Sequence, residues 1–177
     1  MTTSLTSVQR VYLAGPGVFF PDPLQWGEEQ KAACAACGLQ GLYPLDQAVP
    51  EGLDKAGMRH WIAHANYALI READAVFADL RTFRSVSEPD SGTAFEVGFA
   101  FALGKPVWLW LPDGVAGVTQ LDRVANTGGM HPRDGDGLSV EDFAAPLNLM
   151  LWEAAAGVSY GPDVHAALAA FACWLRR

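Results

Sequence analysis

Short apolar runs alternate along the chain with longer stretches of helical character. Four of the runs have the length and composition of β-strands, and they cover residues 11–14, 41–43, 75–78 and 106–111. Glycine, proline or aspartate follows each run, which is the pattern of a strand that ends in a turn. The last run is apolar at almost every position, as is typical of a strand buried on both faces of a parallel sheet.

Stretches with small or apolar residues at helical spacing lie between and after these strands. They cover residues 23–37, 58–73, 93–103, 140–156 and 162–176. The alternation predicts an α/β fold, namely a doubly wound, flavodoxin-like parallel sheet of about five strands with helices on both faces. Because no repeat, low-complexity tract or linker interrupts the pattern, residues 1–177 are predicted to form a single domain.

The predicted fold also indicates where a ligand would bind. In an open parallel α/β sheet, ligands bind outside the carboxyl ends of the strands. Three places in this sequence satisfy that rule: the turn from Gly15 to Phe20, Asp79 after the third strand, and the loop before Thr93. We therefore expect the functional residues at this edge of the sheet.

The charge balance narrows the range of partners. Twelve Lys and Arg residues stand against 20 Asp and Glu residues, so the formal net charge is −8. Nucleic acids and anionic membranes are bound through Lys and Arg patches, and neither is expected as a partner. No apolar run approaches the roughly 18 residues that a membrane span requires. Residues 1–10 lack the pattern of a secretory signal, and three cysteines suit a reducing compartment, so a cytoplasmic location is predicted.

The segment 90–96, with the sequence Asp-Ser-Gly-Thr-Ala-Phe-Glu, allows two interpretations. Thr93 and Glu96 have the spacing of a capping box, which would give them a structural role at the start of a helix. Alternatively, Glu96 lies in the first helical turn, where the helix dipole keeps its carboxylate ionised. Asp79 and Asp90 would then share the same edge of the sheet. Converging carboxylates of this kind suit glycosyl chemistry, in which one attacks the sugar and another handles the proton.

Four segments of the sequence, in this order, resemble those of the nucleoside 2-deoxyribosyltransferase family. They are Tyr-Leu-Ala-Gly-Pro at 12–16, Ala-Asp-Ala-Val-Phe-Ala-Asp at 73–79, Asp-Ser-Gly-Thr-Ala-Phe-Glu-Val-Gly at 90–98, and Pro-Leu-Asn-Leu-Met at 146–150. The third segment is the most specific, because it places an Asp six residues before a Glu.

The resemblance implies a role for each matching residue. Glu96 would be the nucleophile that takes the 2-deoxyribosyl group, and Tyr12 would hold it. Asp79 would face the nucleobase as proton donor and acceptor. Asp90 would bind the sugar 5'-hydroxyl, helped by Asn148 from a neighbouring chain. The resemblance thus implies a homo-oligomer with shared sites that acts on deoxynucleosides and free nucleobases, without a cofactor or a metal.

The turn after the first strand could shape the base site. Gly15 belongs to this turn and is expected to bind substrate. Phe19, Phe20 and Trp26 could stack on a nucleobase, or they could simply pack in the core. Asp46, just after the second strand, could contact the base or could be a solvated loop carboxylate.

Two rival functions stay open at this point. One is an N-glycoside hydrolase of (deoxy)nucleosides or deoxynucleoside 5'-monophosphates, in which water replaces the second base. Asp90 would repel a 5'-phosphate, which argues against the monophosphates. The other rival is a non-catalytic nucleoside-binding module.

Other motifs carry little chemistry. Cys34 and Cys37 form a C-x-x-C at the end of a helix, which lacks the four ligands of a structural zinc site. His60 and His64 lie four residues apart, but Trp61 replaces the Glu of the H-E-x-x-H motif. The glycines at 15–17 lack dinucleotide-binding spacing.

Overall fold

The computed structural model describes residues 9–177 and contains one five-stranded parallel sheet with the order β2-β1-β3-β4-β5. The strands are β1 (Arg10–Ala14), β2 (Gln40–Leu42), β3 (Ala75–Asp79), β4 (Val107–Leu111) and β5 (Gly157–Tyr160). This is the strand order of the flavodoxin-like doubly wound fold. The predicted fold class is therefore confirmed.

Six α-helices accompany the strands in the described part of the chain. They are α1 (Pro23–Ala36), α2 (Lys55–Glu72), α3 (Ser91–Ala102), α4 (Gln120–Arg123), α5 (Leu149–Glu153) and α6 (Val164–Leu175). An aspartate begins several of them, because its side chain accepts a hydrogen bond from a free backbone N–H of the first turn. Asp22 does so for α1, Asp54 for α2 and Asp163 for α6.

Successive strand residues face opposite sides of the sheet, and each side has its own core. On one side, the strand residues that pack against α1 and α6 are Val11, Leu13, Phe77, Trp108 and Trp110. On the other side, the strand residues that pack against α2 and α3 are Tyr12, Ala14, Val76, Ala78 and Leu109. Since both faces are covered, the central strands are apolar at almost every position, as the sequence predicted.

The carboxyl-terminal third differs from the prediction. The helix expected over 140–156 is an irregular segment as far as Asn148, followed by the short helix α5, because Pro146 cannot lie inside a helix. The strand β5 was not predicted. Its four residues are half-buried at the edge of the sheet, and only their pairing with β4 identifies them as a strand.

The sheet topology creates a crevice at the carboxyl ends of β1 and β3. The chain leaves β1 toward α1 on one face of the sheet and leaves β3 toward α3 on the other face. Ligands bind at such reversal points in doubly wound folds, because the diverging loops leave space between them.

Two predictions from the sequence bear on cellular location, one about membrane spans and one about a leader. Within residues 9–177, no helix is both long enough and apolar enough to cross a membrane. The prediction about a leader at residues 1–10 falls almost wholly outside the described residues.

Close packing of β5 against β4 yields a stability prediction. A Cβ atom on Gly157 would come within 2.2 Å of Trp108, whose ring is buried and donates a hydrogen bond to Ser159. We expect Gly157→Ala to destabilise the fold by about 1–3 kcal/mol through overpacking. Gly98→Ala is the matched control, because nothing lies within 4 Å of its added methyl in α3. Gly98→Ala should stabilise the fold by about 0.5–1 kcal/mol. Urea unfolding measures both variants, and a Gly157→Ala protein that is more stable than Gly98→Ala would contradict the close packing of β5 on β4.

Candidate active site

A cavity of about 330 Å³ lies at the carboxyl end of β1. Asp90, Thr93 and Glu96 line it from the start of α3, and Gly15 and Phe19 line it from the turn after β1. The predicted edge of the sheet therefore holds a cavity, and four of the predicted site residues line it, namely Gly15, Phe19, Asp90 and Glu96.

A tyrosine–glutamate pair joins the sheet to this cavity. Tyr12 is fully buried in β1, and its phenol donates a 2.6 Å hydrogen bond to Oε1 of Glu96. Burial and the nearby Glu96 carboxylate raise the pKa of Tyr12 well above its usual range, so the phenol remains a donor. The pair thus fixes one carboxylate oxygen and leaves the other free to meet a ligand.

Glu96 is not held as an ordinary surface carboxylate. Removal from water raises its pKa to about 7, and the charge of Asp90 adds to this, while the hydrogen bond from Tyr12 opposes it. A pKa of about 7 runs against the expectation that the helix dipole keeps this carboxylate ionised.

The start of α3 also differs from the prediction. Asp90, not Thr93, begins the helix, and its Oδ2 accepts hydrogen bonds from the Thr93 backbone N–H at 2.8 Å and from the Thr93 hydroxyl at 3.0 Å. Glu96 is then the sixth helical residue, beyond the first turn, where the helix dipole has little effect. The predicted capping box is therefore absent from this helix.

Asp79 lies behind the cavity. Its side chain is 1% exposed, and a Cβ atom on Gly15 would come within 2.8 Å of it. Arg81 binds both carboxylate oxygens, with Nε and Nη2 each 2.8 Å from Oδ2. Burial nevertheless raises the pKa of Asp79, against the opposing effect of Arg81. Asp79 is not itself among the residues that line the cavity, although it lies against Gly15, which is.

Aromatic rings surround the guanidinium of Arg81. Its Cζ lies 4.8 Å from the ring centre of Phe20, 5.4 Å from that of Trp26 and 5.6 Å from that of Trp110. Cation–π attraction of this kind holds an arginine in place. Phe20 and Trp26 therefore pack on Arg81, whereas Phe19 is 57% exposed at the cavity.

Asp46 does not line the cavity, although its neighbours Leu45 and Gln47 do. Its carboxylate accepts hydrogen bonds from Lys31 at 2.7 Å and from the backbone N–H of Tyr43 at 2.9 Å. These contacts stabilise the turn after β2, and any contact of Asp46 with a base stays a prediction.

Asn148 lies away from Glu96 within the chain. Its Nδ2 donates to Glu141 at 2.6 Å, and its Oδ1 accepts from the backbone of Met150 at the start of α5. It lines a separate cavity of about 200 Å³. Any role of Asn148 at a Glu96 site of another chain stays a prediction.

Helix α2 contributes lining residues that the sequence did not single out. Trp61, Ile62, Ala65 and Asn66 face the cavity from this helix. Helical spacing places Trp61 and Ala65 on one side of α2, but only the packing of α2 beside β1 shows that this side meets the cavity.

Metal-binding groupings are absent from the described residues. Between residues 9 and 177, no three His, Cys, Asp or Glu side chains lie close enough together to hold a metal ion. Cys34 and Cys37 are free, and the rings of His60 and His64 pack on each other, with 3.9 Å between their centres.

The Tyr12–Glu96 hydrogen bond predicts a measurable shift in pKa. Tyr12→Phe removes the donor that favours the ionised form, so the pKa of Glu96 should rise above its value of about 7. A carbon-13 NMR titration of labelled glutamates would measure it in both proteins. A wild-type pKa near 4.5 would contradict the buried geometry.

Stability provides a second readout of the same group. Because the folded pKa of Glu96 lies above its unfolded value, the native state binds more protons between about pH 4.5 and 7. The free energy of unfolding should therefore fall as the pH rises through this window. The Glu96→Gln variant should lack that part of the fall.

Comparisons with known proteins agree with this geometry. Residues 11–150 match the family described as nucleoside 2-deoxyribosyltransferase. The structure is similar to that of a 2-deoxyribosyltransferase from Leishmania mexicana, which is 33% identical, with a TM-score of 0.69 and coverage of 93% of this chain and 97% of that chain.

Other similarities are weaker or shorter. A 2-deoxyribosyltransferase from Bacillus psychrosaccharolyticus is 21% identical, with a TM-score of 0.55 and 90% coverage of both chains. A CMP N-glycosidase from Clostridium botulinum is 15% identical, with a TM-score of 0.50 and coverage of 92% and 98%. At these identities the likeness concerns the fold alone. An uncharacterized protein of Schizosaccharomyces pombe is 36% identical over 106 residues, which are 59% of this chain and 50% of that protein. The chain thus spans about half the length of this curated relative.

The family match extends over most of the chain, and the Leishmania enzyme is related to it over nearly its whole length. The chain therefore belongs to the nucleoside 2-deoxyribosyltransferase family.

Proposed function

We propose that the protein transfers a 2-deoxyribosyl group from one nucleobase to another through a covalent intermediate on Glu96. The observation that carries the proposal is the 2.6 Å hydrogen bond from Tyr12 to Glu96 at the cavity. Family membership supports deoxyribosyl transfer or a related N-glycosidase activity.

The proposed reaction has two displacement steps at the same carbon. The free oxygen of Glu96 attacks C1' of the deoxynucleoside, and the bond from C1' to the base nitrogen breaks with its electron pair going to the base, which takes up a proton. A second base then attacks C1', releases Glu96 and loses a proton. Two displacements retain the configuration of the sugar.

The environment of Glu96 suits a nucleophile. Only the ionised carboxylate can attack, and a pKa of about 7 keeps an ionised fraction available at neutral pH. A partly dehydrated carboxylate also loses little solvation when it bonds to carbon. Tyr12 keeps one oxygen fixed, so that the other is aimed at the cavity.

The other groups on α3 suit the sugar. Oδ2 of Asp90 is engaged by Thr93, which leaves Oδ1 to accept a hydrogen bond from the 5'-hydroxyl. No Lys, Arg or His occurs among the described residues that line the cavity, so nothing there would neutralise a phosphate. Neutral deoxynucleosides are therefore the proposed substrates, in preference to 5'-monophosphates.

Proton exchange with the base is assigned to Asp79, as the family resemblance implies. Both of its oxygens are bound by Arg81 in the structure. Exchange with a base therefore requires the Arg81 side chain to move away from Asp79, and a base seated beside Gly15 would approach this carboxylate.

A homo-oligomer with shared sites completes the proposal. Asn148 would come from a neighbouring chain, since within its own chain it is bound to Glu141. Exposed apolar side chains on the adjoining helices α3 and α5, namely Phe95 and Met150, would suit the contact between chains.

The state of the cysteines supports the proposed cytoplasmic setting. All three cysteines are free, which suits the reducing cytoplasm. We propose that residues 1–177 act there as one catalytic domain.

Replacing the nucleophile tests the proposed reaction. With deoxyinosine and free adenine, the wild type should produce deoxyadenosine, whereas free deoxyribose alone would indicate hydrolysis. Glu96→Gln should reduce this exchange by about a thousandfold or more, because the amide cannot attack C1'. Glu51→Gln, at an exposed glutamate outside the cavity, is the matched control. Unchanged turnover in Glu96→Gln would exclude the covalent step. A wild-type protein that binds nucleosides but does not turn them over would be a binding module instead.

Mixed oligomers test the shared site. Glu96→Gln and Asn148→Ala chains should each be inactive alone, but a co-expressed pair should form hybrids in which one site keeps both residues. For a dimer, random mixing restores about a quarter of the wild-type sites. Asn126→Ala, on a surface loop, should leave activity unchanged. Light scattering that finds a fully active monomer, or a fully active Asn148→Ala protein, would contradict this prediction.

A further inference from the structure

Phe19 lies between the cavity and the loop formed by residues 82–88. It lines the cavity, and its ring stacks on that of Phe83, with 5.3 Å between the ring centres and 23° between the ring planes. Phe83 does not line the cavity, so it covers a different side of Phe19. Because Phe19 is 57% exposed in spite of this contact, much of its surface stays free for a ligand.

Arg84 contacts the same two rings from a strained backbone. Its guanidinium carbon lies 5.2 Å from the ring centre of Phe19 and 4.6 Å from that of Phe83, within the range of cation–π attraction. Its φ is 55°, in the left-handed region that residues other than glycine seldom adopt. Such strain persists only where the surrounding structure imposes it, and it is concentrated at functional sites. The strain therefore suggests that the position of this side chain matters for function.

Hydrogen bonds fix both ends of the 82–88 loop. Thr82 donates to Asp113 through its backbone N–H at 2.9 Å and through its hydroxyl at 2.6 Å. Glu88 accepts a hydrogen bond from Nε2 of Gln120 at 2.6 Å. The loop thus presents its tip at a defined place before any ligand binds.

We propose that Phe83 and Arg84 are positioning residues, which hold the ring of Phe19 so that its free face stacks on the nucleobase; the inference rests on the proposed function. Every base has a π-face, so a held ring would serve purines and pyrimidines alike. A ring that is already held loses little freedom when the base arrives, and such preorganisation favours binding.

Binding of deoxyadenosine and free adenine to the Glu96→Gln protein tests the positioning without turnover. Calorimetry should show both ligands weakened about tenfold or more by Phe19→Ala, because the stacking is lost. Phe83→Ala and Arg84→Gly should each weaken both ligands about threefold or more. In the Phe19→Ala background, the same two substitutions should change the affinities by less than about 1.5-fold, since they act through the Phe19 ring.

Two matched controls separate positioning from stability. Val86→Ala changes an 85% exposed side chain of the same loop and should leave the affinities unchanged. Ala144→Gly relieves a similar backbone angle, a φ of 54°, elsewhere in the chain. Neither Ala144→Gly nor Arg84→Gly should lower the urea midpoint, because glycine adopts this backbone without strain. Only Arg84→Gly should lower the affinities.

Each outcome decides the inference. Unchanged affinities in both Phe83→Ala and Arg84→Gly, or losses that persist in the Phe19→Ala background, would overturn it. A loss for deoxyadenosine that free adenine does not share would place Phe19 on the sugar and overturn it as well. If Phe83→Ala does not fold, Arg84→Gly decides it. The expected pattern in a protein whose wild type performs no exchange would uphold the role of the loop and overturn only the proposed transfer.

Discussion

The hydrogen bond between Tyr12 and Glu96 is the contact on which the site depends. It joins the most buried part of the sheet to a helix that packs over it. Tyr12 cannot move, because β1 is paired on both sides, and Val97, next to Glu96, is itself fully buried against the sheet. The carboxylate is therefore held by packing on one side and by the phenol on the other. A partly buried carboxylate needs such a donor, since an unpaired one would be neutralised.

The second constraint on the site is that its acidic groups and the nearby arginine lie in different places. Glu96 and Asp90 face the cavity, whereas the guanidinium of Arg81 is turned to Asp79 and enclosed by aromatic rings. The charge of Asp90 helps to raise the pKa of Glu96, and no Lys, Arg or His among the described lining residues opposes it. This arrangement favours a neutral ligand and makes the state of Glu96 sensitive to pH near neutrality.

One chain supplies part of the proposed site. The sheet and α3 hold the groups assigned to the sugar, and α2 adds further lining, including Trp61 and Ile62. Asn148 is held by Glu141 where α5 begins, so its position is well defined within its own chain. A residue that is already ordered loses little freedom on association, and such preorganisation favours a shared site.

The sequence by itself determined the alternation of strands and helices, the family, and the position of Glu96 at the carboxyl edge of the sheet, because apolar periodicity and a contiguous motif are local properties. Strand β5 escaped prediction, since a four-residue edge strand is identified only by its pairing partner. The tertiary structure likewise decided the pKa of Glu96. It also decided that Asp79 is enclosed and which side of α2 faces the cavity. A carboxylate's pKa depends on the water that packing removes and on charges that folding brings near it, and neither can be read from positions along a chain.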